Sequence, residues 1–127
     1  MKTAFFTEVD ILVILSQVNK TLNSQSCSPV DMQKVLVSIS ELTKNVLFHS
    51  KSFGVITTSI TEHSIEICVT DQGIGITSID NILQGLKNPS SKGLGLGLLG
   101  VKNMMDEFTI LSNEKEGTTV IVKKYFK

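Results

Sequence analysis

Gly93, Gly95, Gly97 and Gly100 place four glycines within the eight residues that end the stretch KGLGLGLLG. What such a stretch can do depends on what surrounds it. Gly95, Gly97 and Gly100 spell G-x-G-x-x-G, the turn of a dinucleotide-binding fold, which requires a buried strand directly before the first glycine. Here KNPSSK comes first, and its Pro, Asn and Ser residues mark a loop. A helix does follow, and Glu114 or Glu116 could play the ribose-binding acid, but only 27 residues follow Gly100, too few to complete that sheet. A P-loop fails as well, because no Gly-Lys-Ser/Thr follows four spacer residues. What remains is a mobile glycine-rich loop feeding a helix that starts near Leu98. A helix start offers free backbone N–H groups and the positive end of a dipole, which suit phosphate oxygens. The glycines would equally serve turning and packing alone, and Gly100 is expected inside the helix, packed on the core.

The rest of the chain alternates helical and strand patterns. KTAFF reads as a short edge strand. Thr7, with Asp10 three residues on, signals a helix start. In the helix that follows, Ile11, Leu12, Leu15, Val18 and Leu22 are expected on one side. Ser28 as N-cap, Pro29 at the first helical position and Asp31 in the first turn open a second helix, running to about His49. FGVITTSI and SIEICVT are β-branched runs separated by TEH and read as a hairpin. DQGIGI is a loop at its far end, and a short helix is expected near Ile79–Gln84. LLGVKNMMDEF is helical, and FTILS, NEKEG and TTVIVKKYF form a last hairpin. This order predicts one domain over residues 1–127 of α/β (α+β) class. Its architecture is a two-layer sandwich, a mostly antiparallel mixed sheet with helices on one face.

At 127 residues, with 41% hydrophobic and 19% charged residues, the composition is that of an ordinary soluble domain. Twelve lysines balance twelve acidic residues, and arginine is absent. Neutral charge without basic runs argues against nucleic acid as a partner. The apolar runs are too short to span a bilayer, so no membrane role is expected. Glu8 and Asp10 interrupt the segment that otherwise resembles a secretory signal. Cys27 and Cys68 lie far apart, and buried free thiols in a reducing, cytoplasmic setting are expected.

Two constellations carry chemistry. Glu41, Asn45 and His49 are spaced by four on the second helix, a stripe that drifts about 40° per step. It borders the core face defined by Val35, Ile39, Leu42 and Val46. The carboxylate can accept a proton, and the amide oxygen can ligate a hard cation such as Mg²⁺. The same stripe also fits a solvated helix flank. In DQGIGI, Asp71 stands at a strand end, followed by Gly73 and Gly75. It can accept a hydrogen bond from the amino group of a flat ring that glycine backbone lets approach. A plain strand-to-helix turn has the same composition.

Together and in this order, the segments resemble one superfamily. ELTKNVLFH resembles the N box of the GHKL (Bergerat-fold) ATPases, DQGIGI their G1 box, KGLGLGLLGVKNMMDEFTI their G2 region and EGTTV their closing Gly-Thr strand. Within it, TEVDI, SISELTKN and GVKNMMDEF are most similar to the small serine kinases of bacterial partner-switching pathways, the anti-sigma-factor and stressosome switch kinases. The resemblance covers nearly the whole chain and implies a Bergerat-type fold with ATP and Mg²⁺ as cofactors. It implies Glu41 as general base, Asn45 as metal ligand and Asp71 as acceptor for the adenine amino group. Gly73 and Gly75 would shape the pocket, and Thr118 would support the adenine end. Gly93, Gly95 and Gly97 would belong to the lid over the phosphates, with Lys92 beside it; a basic residue there commonly helps hold the γ-phosphate, and this chain offers lysine, never arginine. His49 would border the site. The implied activity is phosphorylation of a serine on a STAS-domain partner, which switches partners that include a phosphatase or a sigma factor. The alternative is a nucleotide-gated binding module with little or no kinase activity.

Overall fold

The structure is a computed structural model that describes residues 1–50, 53–71, 94–113 and 117–126. Among these residues, five strands form one sheet: β1 (Lys2–Phe5), β2 (Gly54–Ile60), β3 (Ser64–Asp71), β4 (Glu107–Asn113) and β5 (Gly117–Tyr125). Their order across the sheet is β1-β2-β3-β5-β4. Each of the four pairings is antiparallel, with Lys2 opposite Thr57, Ile56 opposite Val69, Val69 opposite Val120 and Ile110 opposite Val120. The expected mixed sheet is therefore corrected to a purely antiparallel one among the described residues. The reason is local: hairpins join β2 to β3 and β4 to β5, and β1 returns to β2 through two helices.

Among the described residues, three helices form the second layer: α1 (Glu8–Asn23), α2 (Pro29–Asn45) and α3 (Leu94–Met104). Their starts are written in the sequence. The Thr7 hydroxyl accepts from the Asp10 amide at 3.2 Å, and Asp10 Oδ2 accepts from the Thr7 amide at 3.2 Å, a closed capping box. Ser28 caps α2 by accepting from the Asp31 amide at 3.1 Å, with Pro29 following it.

The core lies between the layers. Val35, Ile39, Leu42 and Val46 are buried as expected, against Ile56, Ile65, Ile67, Val69, Val120 and Val122 of the sheet. On α1 the buried row is Ile11, Ile14, Val18 and Leu22, whereas Leu12 is 65% exposed. Residues 11 to 15 are all apolar, so that run alone does not choose a face; alignment with Val18 and Leu22 does. Phe5 and Gly54 interlock at the end of the β1–β2 ladder, where the Phe5 ring fills the space a Cβ at Gly54 would need. At the opposite end of the fold, Lys124 of β5 is 4% exposed. Its ammonium lies 3.8 Å from Asp31 of α2 and 3.3 Å from Asp106, pinning a helix start to the sheet.

Two further readings change. Both thiols are free, but Cys27 and Cys68 are half-buried rather than buried. For Cys27, burial and then the nearby Asp31 carboxylate push the thiol pKa up, against a smaller opposing pull from Lys124. The expected helix near residues 79–84 lies outside the described residues.

Candidate functional site

α2 does not continue regularly to His49. Its α-helical part ends at Asn45 and widens into a π turn over Val46–Ser50. Just before the change, the buried Thr43 hydroxyl donates to the Ile39 carbonyl at 2.7 Å, a side-chain bond of the kind that competes with the helix ladder. π turns of this kind concentrate at functional sites, and this one begins immediately after Asn45. β3 packs against it, so the end of α2 meets the strand that carries Asp71.

Glu41 and Asn45 are half-buried. α3 covers them. A Cβ placed on Gly97 would stand 2.8 Å from Glu41 Oε2 and 3.7 Å from Asn45 Nδ2. The buried Nδ2 of Asn45 has no hydrogen-bond partner among the described residues. Ser38, one turn before Glu41 on α2, is fully buried, and its hydroxyl also has no partner among the described residues. Buried polar groups are satisfied in the great majority of cases, so the unpaired Asn45 amide beside Gly97 marks a place that can take a further ligand.

Asp71 occupies the end of β3 and is 6% exposed. Its Oδ1 accepts from the Thr118 amide at 3.3 Å, and Thr118, also buried, shares a 3.0 Å hydroxyl contact with Ser112 of β4. Gly117, directly before Thr118, has φ of +84°, a conformation that favours glycine. It was not among the candidate residues, although a glycine ending the last hairpin turn before a threonine was a readable signal.

The candidate residues thus fall into two groups. Glu41, Asn45 and Gly97 come together at the α2–α3 seam, and Asp71 and Thr118 at the β3–β5 end, next to Gly117. Gly95 and Gly97 sit in the first turn of α3, which begins at Leu94 and not at Leu98. Gly100 is helical as expected, but it faces open space, with nothing within 4 Å of a Cβ there, so it does not pack on the core. Gly73, Gly75, Lys92 and Gly93 lie outside the described residues, and His49 belongs to the π turn.

A sequence-family model of the histidine kinase-like ATPase domain matches residues 8–124. The chain belongs to that family. This histidine kinase-like ATPase domain is 30% identical to the anti-sigma F factor of Priestia megaterium, over 94% of this chain and 82% of that protein. It is 28% identical to the anti-sigma F factor of Bacillus thuringiensis (strain Al Hakam), over the same shares. An ATPase domain implies ATP binding, and the two residue groups fit that ligand. The buried Asp71 carboxylate has the chemistry to accept from an amino group on a flat ring. The stranded Asn45 amide has the chemistry to ligate a cation once its oxygen is turned toward it, since amide N and O are assigned from their hydrogen-bonding context. Among the described residues no helix is long and apolar enough to cross a membrane.

Proposed function

We propose that this protein is an ATP- and Mg²⁺-dependent protein-serine kinase that phosphorylates a STAS-domain partner and thereby switches regulatory partners. The observation that carries the reading is the Glu41–Asn45 pair on one face of α2, with the first turn of α3 laid against it. Asp71 would hold the adenine end, supported by Thr118, with Gly73 and Gly75 shaping the pocket. Asn45 would ligate Mg²⁺, which when bound supplies charge neutralisation of the phosphates. The amides at the start of α3, Gly95 and Gly97 among them, would face phosphate oxygens together with Gly93, and Lys92 would add a point charge. Glu41 would accept the proton of the substrate serine hydroxyl. The serine oxygen forms a bond to the γ-phosphorus as the bond from that phosphorus to the ADP oxygen breaks, leaving phosphoserine and ADP.

The relatives are anti-sigma factors by name, which supports a second role as a binding protein for a sigma factor, with an anti-anti-sigma protein of STAS type as the substrate. A phosphatase is the other partner of this kind. Transfer of labelled phosphate from ATP to a STAS protein is the test: absence of transfer from protein that binds ATP tightly would refute the kinase. Glu41→Ala separates the two roles. The kinase loses transfer while keeping ATP and partner binding, whereas a pure binding module shows no effect of the change on any of its functions.

A further inference from the structure

Gly97 does something at the α2–α3 seam that covering a phosphate does not require. Its α-carbon faces the Glu41 side chain so closely that one added carbon would fall 2.8 Å from Oε2, inside any real contact, and 3.7 Å from Asn45 Nδ2. Gly100, one turn later on the same helix, has nothing within 4 Å in the same construction. The difference is not helix–helix packing in general, since Leu98 and Val101 of α3 are buried in the core and already hold the helix in place. The side chain at 97 is missing specifically where the carboxylate is. The same added carbon would stand beside Asn45, whose buried Nδ2 has no partner among the described residues. The bare backbone at 97 therefore forms the wall that sets where the Glu41 carboxylate rests.

We propose that Gly97 is a positioning residue for Glu41, its missing side chain fixing the carboxylate beside Asn45 where a substrate hydroxyl must deliver its proton. The inference rests on the reading of Glu41 as general base. A β-carbon at 97 pushes the carboxylate aside, and a misplacement of about 1 Å can cost roughly 100-fold in rate when the reacting groups are otherwise intact. Shortening residue 41 by one methylene removes the clash.

The test uses the whole chain as wild type, Gly97→Ala, Glu41→Asp, the double variant, and Gly100→Ala as the control for helix propensity. Two readouts are taken: the carboxyl resonance of Glu41 in nucleotide-free protein carrying isotope-labelled glutamate, and turnover with ATP affinity on a STAS substrate. In Gly97→Ala the Glu41 resonance is expected to move and kcat to fall roughly 10–100-fold. In the Glu41→Asp background the same alanine is expected to cost less than about threefold, a coupling a merely structural role would not produce. Gly100→Ala moves neither. An unmoved resonance in Gly97→Ala, or equal losses in both backgrounds, overturns the proposal. Should Gly97→Ala fail to fold, recovery of folding in the double variant is the expected result and failure to recover overturns it. If the wild type transfers no phosphate, the kinase reading fails, and the resonance alone decides the role of Gly97.

Discussion

Gly117 and Asp71 are fitted to each other: a Cβ on Gly117 would stand 2.5 Å from the Asp71 carbonyl oxygen and 2.6 Å from Asp71 Oδ1, and Gly117 has φ of +84°. Any L side chain there meets both a left-handed backbone, unfavourable by about 1–2 kcal/mol, and the carboxylate itself. The Gly117→Ala variant is therefore expected to melt several degrees lower and to bind ATP at least about tenfold more weakly. The carboxylate would lose the Thr118 amide that now holds it at 3.3 Å. Thermal melts and ATP titration check the two effects, and unchanged ATP affinity in a destabilised variant would detach Gly117 from the adenine end.

Asp71→Asn keeps the size of the side chain and replaces a charged acceptor by an amide. Hydrogen bonds to charged groups contribute about 1.5–3 kcal/mol, so ATP affinity is expected to fall roughly 10–100-fold while stability changes little. The amide can offer a donor where the carboxylate could only accept, so discrimination between ATP and GTP should narrow as well. Competition titrations of both nucleotides measure this, and a variant that binds ATP as well as the wild type would remove Asp71 from the adenine pocket.

These two residues also mark what the sequence could say. Asp71 was legible because it ends a β-branched run and precedes glycines, and the caps at Thr7 and Ser28 were legible because capping is chemistry of neighbours. Glu41 and Asn45 were legible as a spacing beside a core face already defined by Val35, Ile39, Leu42 and Val46. Gly97 and Gly117 were harder, because a glycine's role depends on which side chain from a distant segment stands opposite it. The Leu94 start of α3 was missed for a related reason: a run of Gly and Leu has weak intrinsic helix preference, and contact with α2 decides the outcome. Leu12 was misassigned because five consecutive apolar residues carry no period.

Lys124 tests whether the far end of β5 is a structural latch separate from the site. Its side chain is 5% exposed, and that of its partner Asp31 is 12% exposed. Removing the cation leaves Asp31 buried without its countercharge, so Lys124→Met is expected to destabilise by about 3 kcal/mol. Adding Asp31→Asn should restore part of that, measured by denaturant unfolding. Because Lys124 and Thr118 stand near opposite ends of one strand, ATP affinity should stay within about threefold. A large loss of nucleotide binding in folded Lys124→Met would show the two ends to be coupled.

The capping box at α1 makes an acid-dependent contribution with a definite sign. Asp10 Oδ2 accepts from the Phe6 amide at 2.8 Å and the Thr7 amide at 3.2 Å, and these bonds, the one from Phe6 foremost, hold its carboxyl pKa below the ordinary value. Its stabilisation is therefore complete above the unfolded pKa, near pH 4, and fades as the pH falls through the lower folded value. Asp10→Asn should melt below the wild type at neutral pH, with the gap closing in acid. Parallel thermal melts across that range decide it, and a gap that stays constant would mean that the charge of Asp10 contributes nothing.

Asn45 should separate folding from function most sharply. Its buried Nδ2 lacks a partner among the described residues, and an unsatisfied buried donor costs about 1–3 kcal/mol. Truncation to alanine removes that penalty along with some packing, so nucleotide-free Asn45→Ala is expected to melt close to the wild type. Its ATP affinity in the presence of a chelator should also be close to normal, because Asp71 and the β3–β5 end are untouched. What should disappear is the gain in affinity when Mg²⁺ is added. Calorimetric titration of ATP with Mg²⁺ and with chelator reads that increment directly, and an increment of wild-type size in the variant would mean that the cation is held elsewhere.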